Sequence, residues 1–271
     1  SDVISEAKEI LRLCPDTKMI YCQDDIHGPN LLWLEEFAAR WSREIGLPYH
    51  AQMRFEMLKG VEGTRRLEMV KKAGCTGLTL AIESADSQIR REVLNRDMPQ
   101  DLIFEGMKKL ANLDLTARAE QIMVLPYGAT SLPTLMNLEQ DLNLVKLNVD
   151  LRRETCRPTM SWFSILAPYD GTELGRYCEK FGHYDGKNDD LSDSFFERSV
   201  LKHPREWIGP KLEQMKTDPS VWLSQDEQNK YRDQSAELQR ISYLSAALPD
   251  GHKFAEKYLK ENLTYNNEQL S

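Results

Sequence analysis

The chain alternates short apolar runs with longer stretches in which apolar residues recur every three or four positions. Such runs, bounded by Gly, Pro and polar residues, predict buried parallel strands, and the stretches between them predict amphipathic helices. This alternation predicts an α/β fold with right-handed crossovers, either a barrel or a doubly wound sheet. No glycine-rich phosphate loop follows any run, which favours a partial parallel TIM-like (β/α) barrel. The predicted strands are residues 18–22, 49–54, 78–84, 119–125 and 161–166.

Polar side chains follow three of the predicted strands. Asp24 and Asp25 come after the first, Arg54 ends the second, and Glu83 with Ser84 ends the third. Because residues at the carboxyl ends of parallel strands line the sites of βα folds, we expect an acidic rim with an arginine. Such a rim suits a metal, a sugar or a charged cofactor. The alternative for Glu83 and Ser84 is that one of them caps the helix that follows.

Composition and charge narrow the function classes. The 271 residues are 41% hydrophobic and carry a net charge of −8 without a dense basic block, so nucleic acid is a poor default partner. No apolar run reaches the roughly 18 residues of a membrane span and none resembles a signal peptide, which predicts a cytoplasmic protein. The five cysteines are widely spaced and form no CxxC pair. A disulfide framework and a local zinc or redox site are therefore not expected.

The pattern changes near residue 182. Residues 1–182 contain the predicted barrel, whereas residues 183–271 are polar and predict a mostly helical C-terminal extension. The barrel part opens with an amphipathic helix, residues 3–13, so we expect a barrel without its first strand. The open sheet edge would expose unpaired backbone groups. We therefore expect an upstream segment, a partner chain or a second copy of the chain to cover it.

Seven segments of the chain, taken in order, resemble the radical S-adenosylmethionine enzymes. The closest branch is the one that often carries an upstream cobalamin-binding domain. The resemblance covers about residues 1–182, and its specificity comes from the order of the segments. These segments are residues 23–25, 54, 73–75, 81–84, 89–96, 125–130 and 167–172.

The resemblance implies a fold and a set of cofactors. The family has a partial (β/α)6 barrel, in which a [4Fe–4S] cluster held by a CxxxCxxC loop reductively cleaves S-adenosylmethionine to a 5′-deoxyadenosyl radical. The implied cofactors are therefore S-adenosylmethionine and the cluster, and cobalamin is a candidate cofactor of the parent protein. A small-molecule substrate is implied as well.

The resemblance also assigns cofactor-binding roles by position. Glu83 and Ser84 match the segment that contacts S-adenosylmethionine, and Arg54 and Arg96 are candidates for its carboxylate. The other implied residues belong to the turn near the adenine and to an acidic exit that faces cofactor or substrate. They are Pro126, Tyr127, Asp24 and Asp25.

The sequence departs from the family at its central motif. CxxxCxxC occurs nowhere in the 271 residues, and three closely spaced thiolates are what hold such a cluster. We therefore expect the C-terminal part of a radical S-adenosylmethionine enzyme, inactive by itself. One alternative is a non-catalytic barrel remnant that serves as a binding or scaffold module. Another is an unrelated barrel hydrolase that uses Asp24, Asp25 and Glu83.

Overall fold

The computed structural model describes residues 2–126, 137–157, 159–187, 191, 194, 198–204 and 218–262. The strands are β1 (Ile20–Tyr21), β2 (Tyr49–Met53), β3 (Cys75–Glu83), β4 (Thr116–Met123) and β5 (Met160–Ile165). The α-helices of this part are α1 (Asp2–Leu13), α2 (Leu31–Glu44), α3 (Gly60–Ala73), α4 (Ser87–Glu92), α5 (Gln100–Asn112), α6 (Asn137–Thr155), α7 (Glu173–Lys180), α8 (Gln225–Ala247) and α9 (Gly251–Asn262). Among these helices, none is both long enough and apolar enough to cross a membrane.

The five strands form one parallel sheet, in the order β1-β2-β3-β4-β5, that is curled into a half-barrel. The register pairs Ile20 of β1 with Tyr49 of β2, and Gln52 of β2 with Thr79 of β3. Each strand lies beside the next strand in the chain, and helices connect them. Successive βα units produce this arrangement. The predicted α/β partial barrel is confirmed.

Glycine at position 77 lies inside a strand, where the sequence pattern predicted a boundary. β3 begins at Cys75, three residues before the predicted start. A Cβ at Gly77 would stand 2.0 Å from Thr116 Oγ1 and 3.1 Å from His50 Nδ1. The strand accepts glycine there because the side chains of both neighbouring strands occupy the space that a Cβ would need.

Helix ends follow local capping chemistry. Asn30 caps the N-terminus of α2, and its Oδ1 accepts the N–H groups of Leu32 and Trp33 at 2.8 and 3.1 Å. Gly74 ends α3 in the left-handed region, with φ of 102°. The first cap fixes where the chain enters α2 after β1, and the second fixes where it leaves α3, directly before β3.

The contacts divide the chain into two compact units. The first contains residues 1–82, 98–120 and 151–160, and its largest buried side chains include Trp41 and Phe55. The second contains residues 83–97, 121–150 and 161–271, with one apolar cluster around Phe163 and another around Leu125.

The C-terminal extension is helical in its described part. Helix α8 begins with a capping box between Ser224 and Glu227. Farther along α8, Gln239 Nε2 and Tyr243 OH donate hydrogen bonds to the carbonyl oxygen of Phe163 in β5, at 2.8 and 3.0 Å. Helix α8 is therefore held against β5 within the second unit. The predicted boundary near residue 182 stays a prediction.

Candidate functional site

The end of β3 carries an ion pair between two of the predicted site residues. Glu83 Oε1 lies 3.2 Å from Arg96 Nη1, and the two side chains are 22% and 13% exposed. Glu83 has a φ of 65°, a left-handed conformation that costs an L-residue on the order of 1–3 kcal/mol. A strained carboxylate that ends a strand, is paired with a cation and is still partly open to solvent is typical of a binding site.

Ser84 follows Glu83 and is fully buried. Its hydroxyl accepts the N–H of Asp86 at 3.1 Å. The cap of α4 is Asp86, whose Oδ1 accepts the N–H groups of Gln88 and Ile89 at 2.7 and 3.2 Å. The alternative that Glu83 or Ser84 caps this helix is therefore wrong, and Ser84 instead stabilises the turn ahead of the cap.

Arg90 fastens the same turn from inside. Its side chain is fully buried and Nη1 donates to the carbonyl oxygen of Ser84. Burial lowers the pKa of Arg90 to about 10. The N–H of Arg96 donates to the carbonyl oxygen of Arg90 at 2.7 Å. Since Arg90 bonds both to the start and to the end of residues 84–96, it positions Arg96 relative to Glu83.

The end of β4 shows a second strained residue. Val124 has a φ of 62°, which is a true outlier for a β-branched side chain. Its N–H donates to Oδ1 and Oδ2 of Asp141 on α6, at 3.1 and 3.3 Å. Asp141 is fully buried, and this burial raises its pKa well above the ordinary value. The predicted residue Pro126 is buried just beyond, and Tyr127 lies outside the described residues.

The other predicted site residues belong to the first unit. Asp24 and Asp25 are exposed in the segment after β1. Arg54 is exposed between β2 and the 3-10 turn Phe55–Leu58, with an extended backbone. Of the predicted set, the contact that the structure shows directly is the one between Glu83 and Arg96.

The sheet also carries a polar cluster that the sequence pattern did not predict. Thr79 Oγ1 on β3 lies 2.9 Å from Tyr21 OH on β1 and 2.8 Å from His50 Nε2 on β2. The rings of Tyr21 and His50 stack at 4.7 Å between centroids, with 21° between their planes. The alternation of side chains along β2 could have indicated part of this cluster. Tyr49, Ala51 and Met53 are buried on one face of the strand, so His50 points to the other face.

An ion pair on β4 affects this cluster. Arg118 Nη2 lies 3.0 Å from Glu120 Oε1, and both side chains are partly exposed. Burial, together with the positive charge of Arg118, lowers the pKa of His50. The imidazole is therefore neutral at neutral pH, and one ring nitrogen is available as a hydrogen-bond acceptor.

The residues present do not fit an iron–sulfur cluster. Cys14 and Cys156 are exposed and the other three cysteines are buried. Burial raises the pKa to about 11 for Cys22 and to about 12 for Cys75 and Cys178, so these are thiols rather than thiolates. Within the described ranges, no three or more His, Cys, Asp or Glu side chains group so that they could hold a metal ion.

Comparisons with known proteins give a consistent fold. No family model and no curated protein matches the chain. Among solved structures, the cobalamin-dependent S-adenosylmethionine radical enzyme OxsB matches 98% of the chain at 15% identity with a TM-score of 0.52 in its apo form. The form with aqua-cobalamin bound matches 98% at 14% identity and 0.51. Coproporphyrinogen III oxidase (HemN) from Escherichia coli, a radical SAM enzyme, matches 91% at 11% identity and 0.50.

This chain spans less than half the length of each of these solved structures. The chain covers 43% and 44% of the two OxsB chains and 46% of HemN. At identities of 11–15% the likeness concerns the fold, and it confirms at that level the resemblance that the ordered segments indicated. The chain has the half-barrel α/β fold of the radical S-adenosylmethionine enzymes.

Proposed function

We propose that this chain forms the cofactor- and substrate-binding part of a radical S-adenosylmethionine enzyme. The observation that carries the proposal is the strained end of β3, where Glu83 and Arg96 form a partly exposed ion pair. Such a pair supplies a hydrogen-bond acceptor for ribose hydroxyls or an ammonium group and a cation for a carboxylate. The fold shared with OxsB and HemN supports this choice of cofactor over other zwitterionic ligands.

The other predicted residues receive roles within this proposal. Arg54, in the first unit, stays a candidate for the carboxylate of S-adenosylmethionine in its own right. Ser84 acts through the shape of the turn, because its hydroxyl already accepts the N–H of Asp86. Pro126 and Tyr127 belong to the adenine side. The exposed residues Asp24 and Asp25 stay candidates for contact with the cofactor or a small-molecule substrate.

The cluster is proposed to lie on residues that this chain does not contain. CxxxCxxC is absent from the sequence, and three of the five cysteines are buried thiols. We propose that the cluster-binding cysteines belong to another part of the parent protein or to a partner chain. Cobalamin, if the parent protein uses it, would likewise be bound elsewhere. Anaerobic reconstitution of the chain with iron and sulfide should then yield no site-differentiated cluster, and a stable cluster that cleaves S-adenosylmethionine would contradict this.

Equilibrium dialysis with S-adenosylmethionine tests the assignment of the site. Glu83→Gln removes the carboxylate charge and should raise the dissociation constant about tenfold, and Arg54→Gln should raise it too. Glu92→Gln is the matched control, because Glu92 belongs to α4 and has not been assigned to the site. Equal affinity for wild type and Glu83→Gln would remove Glu83 from the site.

The strand at the edge of the sheet, β1, is the basis for proposing a partner. β1 comes first in the strand order, spans two residues, and is preceded by Met19, which is 51% exposed. We propose that an upstream segment, a partner chain or a second copy pairs with it. Light scattering coupled to size exclusion should show self-association of the isolated chain, and a clean monomer would leave only the first two options.

The second candidate is a barrel remnant that binds or scaffolds without catalysis. It is favoured by the lack of a cluster motif in the sequence. The two candidates differ in genetic context: a CxxxCxxC segment in the coding sequence upstream of Ser1 favours the enzyme, and a native start codon directly before the codon of Ser1 favours the remnant.

A further inference from the structure

A cleft of about 550 Å³ lies beside the segment that connects β1 to α2, within the first unit. This volume suits a small organic molecule. Its walls include the carboxylates of Asp24 and Glu36, the rings of His27 and Trp33, and the side chain of Leu32. The cleft is therefore acidic on some walls and aromatic or aliphatic on others.

The charge of the cleft selects a cation. Asp24 and Glu36 line it, whereas no Lys or Arg does among the described lining residues. Behind the wall, the buried guanidinium of Arg66 donates to the carbonyl oxygens of two lining residues, Gly28 and Pro29. On the exposed surface of α2, Arg40 Nη1 lies 3.7 Å from Glu36 Oε1. A long and exposed contact of this kind neutralises a carboxylate only weakly. Since Arg66 is itself paired with a carboxylate outside the cleft, the two lining carboxylates attract an ammonium group and disfavour phosphates and carboxylates.

His27 gives an independent indication of a ligand. Its side chain is 1% exposed, and Nε2 has no hydrogen-bond partner in the described part of the chain. The ring packs edge-on against Trp33 and Phe37, with centroids 5.6 and 4.8 Å away. Burial lowers the pKa of His27 to about 4, against the opposing charge of Asp24, so the ring is neutral at neutral pH. A buried polar atom without a partner is costly, and a bound hydrogen-bonding ligand would remove that cost.

The apolar walls suit the body of such a ligand. Leu32 is 77% exposed although it is a large aliphatic side chain. Trp33 lines the same cleft and is partly buried, and its indole stacks on Phe37 with 5.2 Å between the ring centroids. An indole attracts ammonium groups as well as apolar rings.

We propose that this cleft binds a small organic amine, with the ammonium recognised by Asp24 and Glu36 and the apolar part by Trp33 and Leu32. The proposal does not rest on the S-adenosylmethionine site. Its only shared residue is Asp24, and Glu36, His27 and Trp33 have no role in the proposed function.

Titration calorimetry with two probes of opposite charge tests the proposal. Phenethylammonium and phenylacetate share an aromatic body, and about 150 mM salt screens general attraction to the acidic chain. Phenethylammonium should bind saturably and phenylacetate should not. Glu36→Gln should weaken the binding about fivefold, whereas Glu35→Gln should leave it within about twofold. Glu35 is a close control, because it makes the same 3.7 Å contact with an arginine, Arg65, and does not line the cleft.

Further variants distinguish binding in the cleft from binding at the proposed S-adenosylmethionine site. Asp24→Asn should weaken phenethylammonium binding, and the neighbouring Asp25→Asn, which makes the same change in net charge, should not. Glu83→Gln should leave the amine affinity unchanged, so failure of the S-adenosylmethionine site and failure of the cleft are told apart. Absence of saturable binding, equal binding of both probes, or equal effects of Glu36→Gln and Glu35→Gln would overturn the proposal.

Discussion

Asp141 on α6 accepts the N–H of Val124 with both carboxylate oxygens, directly after β4 and inside the second unit. The contact holds a β-branched residue at a φ of 62°. Because the carboxyl group is fully buried, its ionised form is disfavoured. The conformation at the end of β4 therefore depends on Asp141, whose protonation is linked to folding.

Asp141→Asn should stabilise the protein at neutral pH. The pKa of Asp141 is higher in the folded than in the unfolded chain, so the folded state binds more protons and stability falls as pH rises above the unfolded value. Asparagine keeps an acceptor for Val124 and removes this dependence. We expect a gain of about 1–3 kcal/mol in the free energy of unfolding at pH 7 and a smaller gain at pH 4, by urea denaturation.

Asp141→Leu serves as the contrast, since it leaves the Val124 N–H without its acceptor. It should be less stable than Asp141→Asn by about 1–3 kcal/mol both at pH 7 and at pH 4, because neither side chain titrates. If Asn and Leu behave alike, the hydrogen bond does not hold this strand end.

Gly77→Ala should destabilise the sheet. A Cβ would lie 2.0 Å from Thr116 Oγ1, so β3 and β4 must shift, at a cost of about 1–3 kcal/mol. Thr116→Ala removes the closest atom, and in the double variant the cost of Gly77→Ala should become smaller. A double-mutant cycle by thermal unfolding measures this coupling, and strictly additive effects would show that Thr116 is not the obstacle.

The pKa of His50 should lie below the ordinary value of 6.5 and should rise in Arg118→Gln, because the positive charge of Arg118 contributes to lowering it. The folded pKa is the lower one, so stability should fall as pH drops through 6.5 and towards the folded pKa. NMR titration of the imidazole measures both effects. An unchanged pKa in Arg118→Gln would separate the ion pair on β4 from the cluster.

Glycine at position 83 should be tolerated better than alanine. Both substitutions remove the ion pair with Arg96, but only glycine adopts a φ of 65° without a Cβ penalty. We expect Glu83→Gly to be more stable than Glu83→Ala by about 0.5–1 kcal/mol in urea unfolding. The reverse order would mean that this backbone conformation relaxes when the carboxylate is lost.

The order of the strands and helices could be predicted because each of them has its own local pattern of apolar and polar residues. The run that ends at Glu83 reads as a buried strand from its own residues, and the polar residues after it mark the sheet edge. The observed strand ends differ from the predicted ones where a contact with a distant part of the chain determines them. β3 extends back through Gly77 because Thr116, on another strand, occupies the space beside it.

Much of the site chemistry depends on contacts that no local pattern contains. The left-handed backbone of Glu83 and of Val124 occurs together with contacts to Arg96 and Asp141, which lie 13 and 17 residues farther along the chain. The cluster of Tyr21, His50 and Thr79 joins three strands, so each residue seemed isolated in the sequence. Positions along a strand could be predicted, but the pairing of their side chains required the fold.

The measurement that tests the central claim most directly is calorimetric titration of S-adenosylmethionine into the wild-type chain and into Arg96→Gln, with Arg91→Gln as the control. Arg91 is an exposed arginine of the same turn region that pairs with Glu92. Saturable binding to wild type and Arg91→Gln, weakened about tenfold in Arg96→Gln, is the predicted result. No binding to the wild-type chain, or equal affinity in all three proteins, would contradict the account.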